Sequence, residues 1–576
     1  MNASTPADTL ADLAARYWRF LCHELPMTAV MAGEATSDAV LYRESPADYD
    51  RRYRVAGEML AELNGIASSA LTAQDRATYQ LLRYELENTR RLHEVAAHHR
   101  PVLFPAGPAY STAYFANSAT VTDGGSAERY VDRLATLPAY LDDLQDALRA
   151  GQAMGMRYPR LVLECTVGSL RALTGPVDAQ PWLKPLERSV AADKEAIRRQ
   201  TDRARACVAS ELTPAIDAFS RFLEGPLADG ARDTVACSDA PQGREFYRAL
   251  VRHFTTTALS PDEVHELGRS EVERLEGEIA AVAAEAGYAG DLAAYRHFLS
   301  SDTFILPSKE ALREQIEILS KRIDARIPAF FGRIPRITYG VDTIPEAVAV
   351  RMPPAYAQPN PADRSAPGIH WITSLQNRCP SYLHVSLALH EAWPGHLMHI
   401  ALIQEADGLP AFRRHGALRY LACLEGWAVY CESLGVDMGL YQTPHQRYGR
   451  LESETWRAVR LVVDTGIHWR GWSRQRAIDY MASHLALPLA TIQGEVDRYI
   501  GWPGQALVYQ IGNLHLRAIR QRAEQQLGSR FDQRAFHDAV TAAGAVTLPV
   551  LTDLMDDWLT RQSSRGPREE AASVRG

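Results

Sequence analysis

Apolar residues recur at intervals of three and four along most of the chain, which is the pattern of amphipathic helices. The pattern is found over residues 9–22, 48–66, 127–148, 185–224, 262–286 and 308–331. Ser260 and Pro261 precede the fifth of these segments, and both residue types are typical of helix starts. The sequence therefore predicts a mainly α-helical protein.

Strand-like sequence is scarce and lies close to the middle of the chain. Residues 337–339, 347–352 and 369–373 are the best candidates, and a proline-rich segment separates the last two. Proline and glycine at this density favour a loop. We expect a small hairpin or sheet near residues 337–373, within a protein that is otherwise helical.

No stretch of the sequence resembles a flexible linker between large domains. We predict an N-terminal helical half over residues 1–300 and a C-terminal helical half over residues 301–562. Residues 563–576 are polar and contain glycine and proline, so we expect a disordered tail there.

Composition and charge narrow the functional classes. The 576 residues are 46% hydrophobic and 23% charged, which is typical of globular proteins and excludes disordered and fibrous classes. The net charge of -8 disfavours a nucleic-acid-binding protein, which usually needs a basic face. The seven cysteines include no CxxC pair, so neither a zinc ribbon nor a disulfide framework is indicated. We recognise no signal peptide or membrane-spanning run and expect a cytoplasmic protein without membrane partners.

The most informative segment is LHVSLALHEAWPGHLMHIALI, residues 383–403, where polar side chains interrupt a strongly apolar run. Burying His390, Glu391 and His396 without partners would be costly, and a metal ion would satisfy them. In HExxH zinc helices, two histidines one turn apart bind the ion and the glutamate is the general base. Here the histidines are six residues apart, about 120° around a regular helix. Both can bind one ion only if the helix is distorted.

Two residues between the histidines supply a cause for such a distortion. Pro394 has no N–H for the carbonyl of His390, and Gly395 permits unusual backbone angles. The alternative is a simple helix break between unrelated core histidines.

A catalytic zinc ion usually has three protein ligands. Glu425 lies in the otherwise apolar first half of the segment LACLEGWAVYCESLG, beside Gly426, and we predict that it is the third ligand. Glu432 is expected to lie behind the ligands or in solvent. His399 could be an additional ligand, but we expect it to face the groove or to support a ligand. Two imidazoles and a carboxylate suit zinc, so we predict one Zn²⁺ per chain.

Five motifs occur in order over residues 390 to about 555: HEAWPGH, EGWAVYCE, RAVRLVVDTGIHWRGWS, PGQALVYQIG and FDQRAFHDAVTAAGAV. Their combination resembles the domain of unknown function 885 family, whose members are regarded as zinc metallopeptidases of largely unknown substrate. The layout is also similar to helical peptidases such as thimet oligopeptidase and angiotensin-converting enzyme. In those enzymes a histidine and a tyrosine downstream of the zinc ligands line a deep groove. The resemblance implies such a groove here.

Downstream residues are candidates for these further roles. Arg460, Asp464 and His468 are four residues apart and share a helix face; Asp464 could orient His468 as a donor to an oxyanion. An ordinary polar stripe is the alternative. Tyr509 is the second candidate oxyanion donor, although a tyrosine can equally pack in a core. Arg517 could bind a substrate carboxylate.

Together these residues favour a zinc-dependent hydrolase that cleaves peptide or amide bonds of short peptides or small amides. Glu391 would take a proton from the attacking water. Two alternatives stay open: a metal-dependent tailoring hydrolase or lyase in small-molecule metabolism, and a helical binding protein without catalysis. His370 and His399 are unusual polar residues that would fit the former. The oligomeric state is left open by the sequence.

Overall fold

The protein is described here from a computed structural model, which covers residues 5–34, 40–189, 191–349 and 352–564. Helices dominate and a small sheet lies near residues 337–373, which confirms the predicted fold class. None of the helices in these ranges has both the length and the apolar character needed to cross a bilayer. Of the predicted tail, residues 563 and 564 belong to the last helix, and the others lie outside the described residues.

The α-helices of the first 300 residues are α1 (Pro6–Glu24), α2 (Pro26–Met31), α3 (Pro46–Asn64), α4 (Ala73–Glu94), α5 (Pro108–Ser118), α6 (Gly124–Leu134), α7 (Leu137–Ala153), α8 (Arg160–Arg171), α9 (Lys184–Glu187), α10 (Lys194–Cys207), α11 (Thr213–Phe222), α12 (Gly243–Thr255), α13 (Pro261–Glu285) and α14 (Leu292–Leu299).

The later α-helices are α15 (Lys309–Asp324), α16 (Ile327–Phe330), α17 (Glu346–Ala349), α18 (His384–Glu391), α19 (His396–Gln404), α20 (Ala411–Arg414), α21 (Leu421–Asp437), α22 (Pro444–His468), α23 (Arg474–His484), α24 (Leu489–Gly501), α25 (Val508–Leu527), α26 (Gln533–Ala542) and α27 (Leu548–Ser564).

Helix boundaries follow local chemistry. The start of α13 is capped as predicted: the Ser260 hydroxyl accepts from the Glu263 N–H at 3.3 Å, and the Glu263 carboxylate accepts from the Ser260 N–H at 2.8 Å. The segments predicted over 127–148 and 308–331 are each divided in two, because Pro138 and Pro328 lie in the first turns of α7 and α16. A proline supplies no N–H to a preceding turn, so it begins a helix more readily than it continues one. The segment predicted over 185–224 is also divided, into α9, α10 and α11, with a short π-helical turn on either side of α11.

The sheet has three strands among the described residues: β1 (Tyr339–Thr343), β2 (Ala355–Gln358) and β3 (Gly368–Ile372). The order is β1-β3-β2, with β1 parallel and β2 antiparallel to β3. The strand predicted over 347–352 is wrong at its start, where α17 lies; residues 350 and 351 lie outside the described residues. Strand β2 instead forms in the proline-rich segment, at the sheet edge where flanking prolines are tolerated.

Two large hydrophobic cores each contain residues from both sides of residue 300. The predicted boundary near residue 300 therefore does not separate one core from the other. The division into two halves stays a prediction. The first core includes Val385 of α18, Met398 of α19, Trp427 of α21, Leu461 of α22 and Ile511 of α25. The helices that carry the predicted ligands are thus anchored in the first core, whereas α22 also contributes many residues to the second core.

Helices α21 and α25 approach each other unusually closely. A Cβ atom on Gly512 would lie 1.9 Å from the carbonyl oxygen of Ala422, and one on Gly426 would lie 2.4 Å from Gly512. Only glycine fits such backbone contact. The contact holds α21, which carries Glu425, directly against α25, which carries Tyr509.

Candidate metal centre

The segment between the two predicted histidine ligands is a complete helix break rather than a bulge. Helix α18 ends at Glu391 and α19 begins at His396, and the Trp393–Pro394 peptide bond between them is cis. The Trp427 indole N–H donates to the Pro394 carbonyl at 2.9 Å. The break re-aims the second histidine, so the predicted distortion is present in a stronger form than expected.

Gly395 is required for the close return of the chain. A Cβ atom there would lie 1.9 Å from the carbonyl oxygen of His390 and 2.4 Å from that of Leu389. These are backbone atoms, so a larger residue could fit only if one of the two helices shifted. The start of α19 therefore lies against the last carbonyls of α18.

As a result, the structure brings His390, His396 and Glu425 together. Each offers one ligand atom, and these atoms lie within 4.8 Å of one another. The Glu425 Oε2 atom is 3.5 Å from Nε2 of His390 and 3.3 Å from Nε2 of His396. The two imidazole rings are perpendicular, with centroids 4.8 Å apart.

These distances fit a tetrahedral ion. Two ligand atoms that each lie ~2.1 Å from one such ion are roughly 3.4 Å apart. Glu425 Oε2 is buried and has no hydrogen-bond partner among the described residues, an expensive state for a carboxylate unless a cation is bound. The donor set and its spacing therefore suit zinc.

The charges around the cluster also favour a bound cation. The nearby imidazoles outweigh the opposing effect of burial and lower the pKa of Glu425. Burial lowers the pKa of His390, but the carboxylates of Glu425, Glu432 and Glu391 outweigh it and raise that pKa to about 9. With Arg457 beside Glu432, three carboxylates face one guanidinium group. A divalent cation bound by neutral imidazoles would balance this negative charge, in place of the proton that the raised pKa of His390 implies.

Glu432 supports His390 from behind. Its Oε1 atom is 2.9 Å from His390 Nδ1, and its Oε2 atom accepts from the Ser453 hydroxyl at 2.7 Å. The Arg457 guanidinium is 3.3 Å from Glu432 Oε1. A carboxylate on Nδ1 holds a proton there, so Nε2, which faces the cluster, is the nitrogen that would bind a metal ion, as in many zinc sites. Of the two roles expected for Glu432, the supporting one is observed.

Glu391 follows His390 directly and ends α18. Its side chain is buried, at 9% exposure, and it has no hydrogen-bond partner within the described part of the chain. Its charge acts on His390, so it lies within electrostatic reach of the cluster. A carboxylate that is buried, close to the ligands and uncommitted has the properties of a general base.

Tyr509 is also near the cluster. Burial raises the pKa of its phenol, and the charge of Glu425 raises it further. Arg460 stacks on the Tyr509 ring, with its guanidinium carbon 4.5 Å from the ring centroid. Arg460 also donates to the Tyr499 hydroxyl at 3.0 Å and pairs with Glu495 at 3.2 Å. Arg460 therefore links the Tyr509 ring to Tyr499 and Glu495.

The structure gives His468 a different role from the predicted one. The ring is fully buried; its Nδ1 atom accepts from the Cys237 N–H at 3.1 Å, and its Nε2 atom donates to the Tyr499 carbonyl at 2.9 Å. Burial lowers the pKa of His468 to about 4, so the ring is neutral. With both nitrogens bonded to main-chain groups, it has no free donor for an oxyanion.

The predicted pairing of Asp464 with His468 is absent for a related reason. Asp464 accepts from the Tyr247 hydroxyl at 2.6 Å and from the Gly504 N–H at 3.0 Å. Burial raises the pKa of this carboxyl to about 7, against the effect of both donors. Asp464 and His468 share a helix face, but each binds a different neighbouring segment.

Two further candidates lie apart from the three ligands. Arg517 pairs with Glu454 at 2.8 Å and is not directed at the cluster. His399 is fully buried beside Trp427, with ring centroids 5.3 Å apart, and neither of its nitrogens has a partner among the described residues. Burial and the charge of His396 lower its pKa to about 3. His370 on β3 is also fully buried, and neither of its nitrogens has a partner among the described residues. Burial and the charge of His390 lower the pKa of His370 to about 3.

Sequence reasoning missed the support provided by Ser453 and Arg457, because nothing in their spacing links them to Glu432. It also missed a second possible ligand group on the surface. Asp50, His93 and His98 place one ligand atom each within 4.8 Å of one another, and His93 Nε2 donates to Asp50 at 2.8 Å. This group is more open than the cluster of His390, His396 and Glu425.

Fold and site together define a large helical protein with a buried His-His-Glu set at a helix break. The model of a family described as "Bacterial protein of unknown function (DUF885)" matches residues 26–555. The chain therefore belongs to this family, which confirms the resemblance of its motifs to that family; the similarity to helical peptidases stays a prediction.

Two solved structures share the fold. A candidate lipoprotein from Colwellia psychrerythraea is 25% identical, with a TM-score of 0.89; the match covers 97% of this chain and 100% of that chain. A candidate lipoprotein of unknown function from Shewanella oneidensis is 17% identical, with a TM-score of 0.70 over 96% of this chain and 100% of that chain. No curated protein matches this chain.

Proposed function

We propose that this protein is a zinc-dependent hydrolase that cleaves peptide or amide bonds of short peptides or small amides. The observation that supports it most directly is the convergence of His390, His396 and Glu425, with a buried, unpartnered carboxylate oxygen between two imidazoles. These residues would hold one zinc ion. When bound, zinc would supply Lewis-acid chemistry for a carbonyl group and for water.

The roles of the protein groups follow from their positions. Glu391 takes a proton from the attacking water and passes it to the leaving nitrogen as the C–N bond breaks. The Tyr509 hydroxyl donates to the carbonyl oxygen, which gains negative charge during attack. Arg460 holds the Tyr509 ring in place by stacking. Glu432 keeps His390 in the tautomer that presents Nε2 to the ligand cluster.

Peptide hydrolysis tests the proposal. Zinc-loaded and chelator-treated protein are incubated with a mixed library of short peptides and small amides, and the products are identified by mass spectrometry. We expect cleavage by the loaded protein alone, restored when zinc is returned. Absence of cleavage of every library member by fully loaded protein would contradict the proposal.

The cytoplasmic location expected from the sequence stays a prediction. The Colwellia psychrerythraea structure is described as a candidate lipoprotein, a description that favours a location outside the cytoplasm. The proposed chemistry is compatible with either compartment, since it needs only zinc, water and a small substrate.

Glu432→Gln is expected to weaken zinc binding by about tenfold to a hundredfold, the usual effect of losing a supporting carboxylate. An amide holds the His390 N–H less strongly than a carboxylate does. Zinc affinity is measured by competition with a chelator. Glu452→Gln is the control, because Glu452 is equally buried but bonds to Tyr448 and Ala486 instead. Equal affinities in the two variants would contradict the supporting role.

A further inference from the structure

A cavity of about 510 Å³ lies apart from the metal cluster. None of the described residues that line it is one of the three proposed ligands, although Leu421 in its wall lies one turn before Glu425 on α21. Its size is within the range of sites for small organic molecules. The walls come from segments far apart in the sequence, including α4, α12 and the loop that follows α24.

The walls of the cavity carry an excess of positive charge. Four arginines line it, Arg100, Arg157, Arg232 and Arg419, and Glu85 is the one carboxylate among the described lining residues. Glu85 is already paired, because it forms an ion pair with Arg419 and accepts from the Tyr17 hydroxyl at 3.0 Å. The guanidinium groups of Arg100, Arg157 and Arg232 therefore have no carboxylate partner among the described lining residues.

These three arginines bond mainly to main-chain oxygens. Arg100 donates to the Pro241 carbonyl at 2.8 Å, and Arg157 donates to the Gln152 carbonyl at 2.7 Å. Arg232 donates to the Arg157 carbonyl at 2.9 Å, and its nearest carboxylate in the described chain, the exposed Asp239, is 3.8 Å away. Burial lowers the pKa of Arg100 and of Arg232. Both groups would therefore gain from a buried anion.

The rest of the wall is apolar. Phe246, Leu250, Phe254 and Trp502 line the cavity, and Arg100 stacks on Phe246 with its guanidinium carbon 4.5 Å from the ring centroid. A fully hydrated inorganic anion would gain little from such walls. An anion with an apolar body would bury that body while its charge met the guanidinium groups.

Asp464 and His468 fix two parts of this wall. Asp464 accepts from the N–H of Gly504, which follows the lining residues Trp502 and Pro503, and from Tyr247 of α12. His468 accepts from the N–H of Cys237, which lines the cavity. Asp464 and His468 therefore support the wall of the cavity rather than the metal cluster. The proposed hydrolase gives no role to these two buried, hydrogen-bonded residues.

We propose that this cavity binds an organic monoanion, a carboxylate carried on an apolar aryl or alkyl body, at a site distinct from the metal centre. The carboxylate is held on the side of Arg100, whose Nε and Nη1 atoms are buried without a partner among the described residues, and of Arg232. The apolar body lies against Leu250, Phe254 and Trp502. Binding does not require the metal.

Calorimetric titration with naphthoate and with naphthamide tests this inference. The two molecules have nearly the same shape and differ in charge. We expect naphthoate to bind saturably to the wild-type protein and about tenfold more tightly than naphthamide, the difference expected of one charge-assisted contact. Arg100→Gln is expected to reduce that difference, and Arg269→Gln, at an exposed arginine on α13, to leave it intact.

Two more variants test whether the cavity itself is the binding site and whether binding is independent of the metal centre. Ala240→Phe adds bulk at a lining residue without changing charge, so we expect it to weaken the binding of both molecules. Glu425→Ala removes a proposed metal ligand, so we expect it to leave naphthoate binding unchanged. Equal binding of the two molecules to wild-type protein, or a naphthoate preference that is unchanged in Arg100→Gln, would overturn the proposal. Loss of naphthoate binding in Glu425→Ala would overturn its independence from the metal centre.

Discussion

Glu391→Gln is expected to lower the hydrolysis of peptide or amide bonds by about a hundredfold to ten-thousandfold, the usual contribution of a general base. Glutamine has nearly the same shape as glutamate but cannot accept a proton from water at neutral pH. Because Glu391 is adjacent to the ligands and is not one of the three, zinc content is expected to stay at the wild-type value. The combination of retained metal and lost turnover distinguishes a base from a ligand.

The measurement is the initial rate on a peptide that the wild-type protein cleaves, together with zinc content by elemental mass spectrometry. Glu524→Gln on α25 is the control, since Glu524 is an exposed partner of Arg520. Wild-type turnover in Glu391→Gln would contradict the assignment of the base. Loss of zinc in Glu391→Gln would show that Glu391 serves the metal instead.

Gly395→Ala is expected to damage both stability and metal binding. The new Cβ atom would lie 1.9 Å from the His390 carbonyl oxygen, so α18 and α19 must separate. Steric overpacking typically costs about 1–3 kcal/mol of unfolding free energy. The same shift would move His390 and His396 apart, so zinc affinity is expected to fall at least as much as in Glu432→Gln.

Denaturant unfolding and chelator competition measure the two effects. Gly494→Ala is the matched control, because Gly494 lies inside α24 and a Cβ atom there would meet nothing within 4 Å. Alanine is the better helix former, so this control is expected to be more stable by about 0.5–1 kcal/mol. If Gly395→Ala unfolded and bound zinc like the wild type, the close return of the chain would not govern the site.

Much of the candidate site was predictable because its residues conflict with their surroundings. His390, His396 and Glu425 are polar residues within apolar helical segments, and such conflicts require a partner. Pro394 and Gly395 indicated that the helix could not stay regular. The extent of the break could not be predicted, because it depends on how α19 packs against Trp427 and the end of α18.

The downstream residues show the limit of helix spacing. Arg460, Asp464 and His468 do share one face of α22, as their spacing indicated. Which groups meet that face is decided by other segments, which bring Cys237, Tyr247 and Gly504 to it. The cavity could not be predicted for the same reason, since its arginines come from separate parts of the chain. Strand β2 was missed because the prolines around it predict a loop. The strand forms through its pairing with β3, which its own sequence does not indicate.

The central claim is that His390, His396 and Glu425 hold one zinc ion. Elemental mass spectrometry of the wild type, Glu425→Ala and His93→Ala, purified side by side and supplied with zinc, tests it most directly. The account predicts about one zinc ion per chain in the wild type, most of it lost in Glu425→Ala. His93→Ala, which alters the surface group near Asp50, is predicted to keep the wild-type value. A wild-type protein without zinc, or equal zinc in the wild type and Glu425→Ala, would contradict the account.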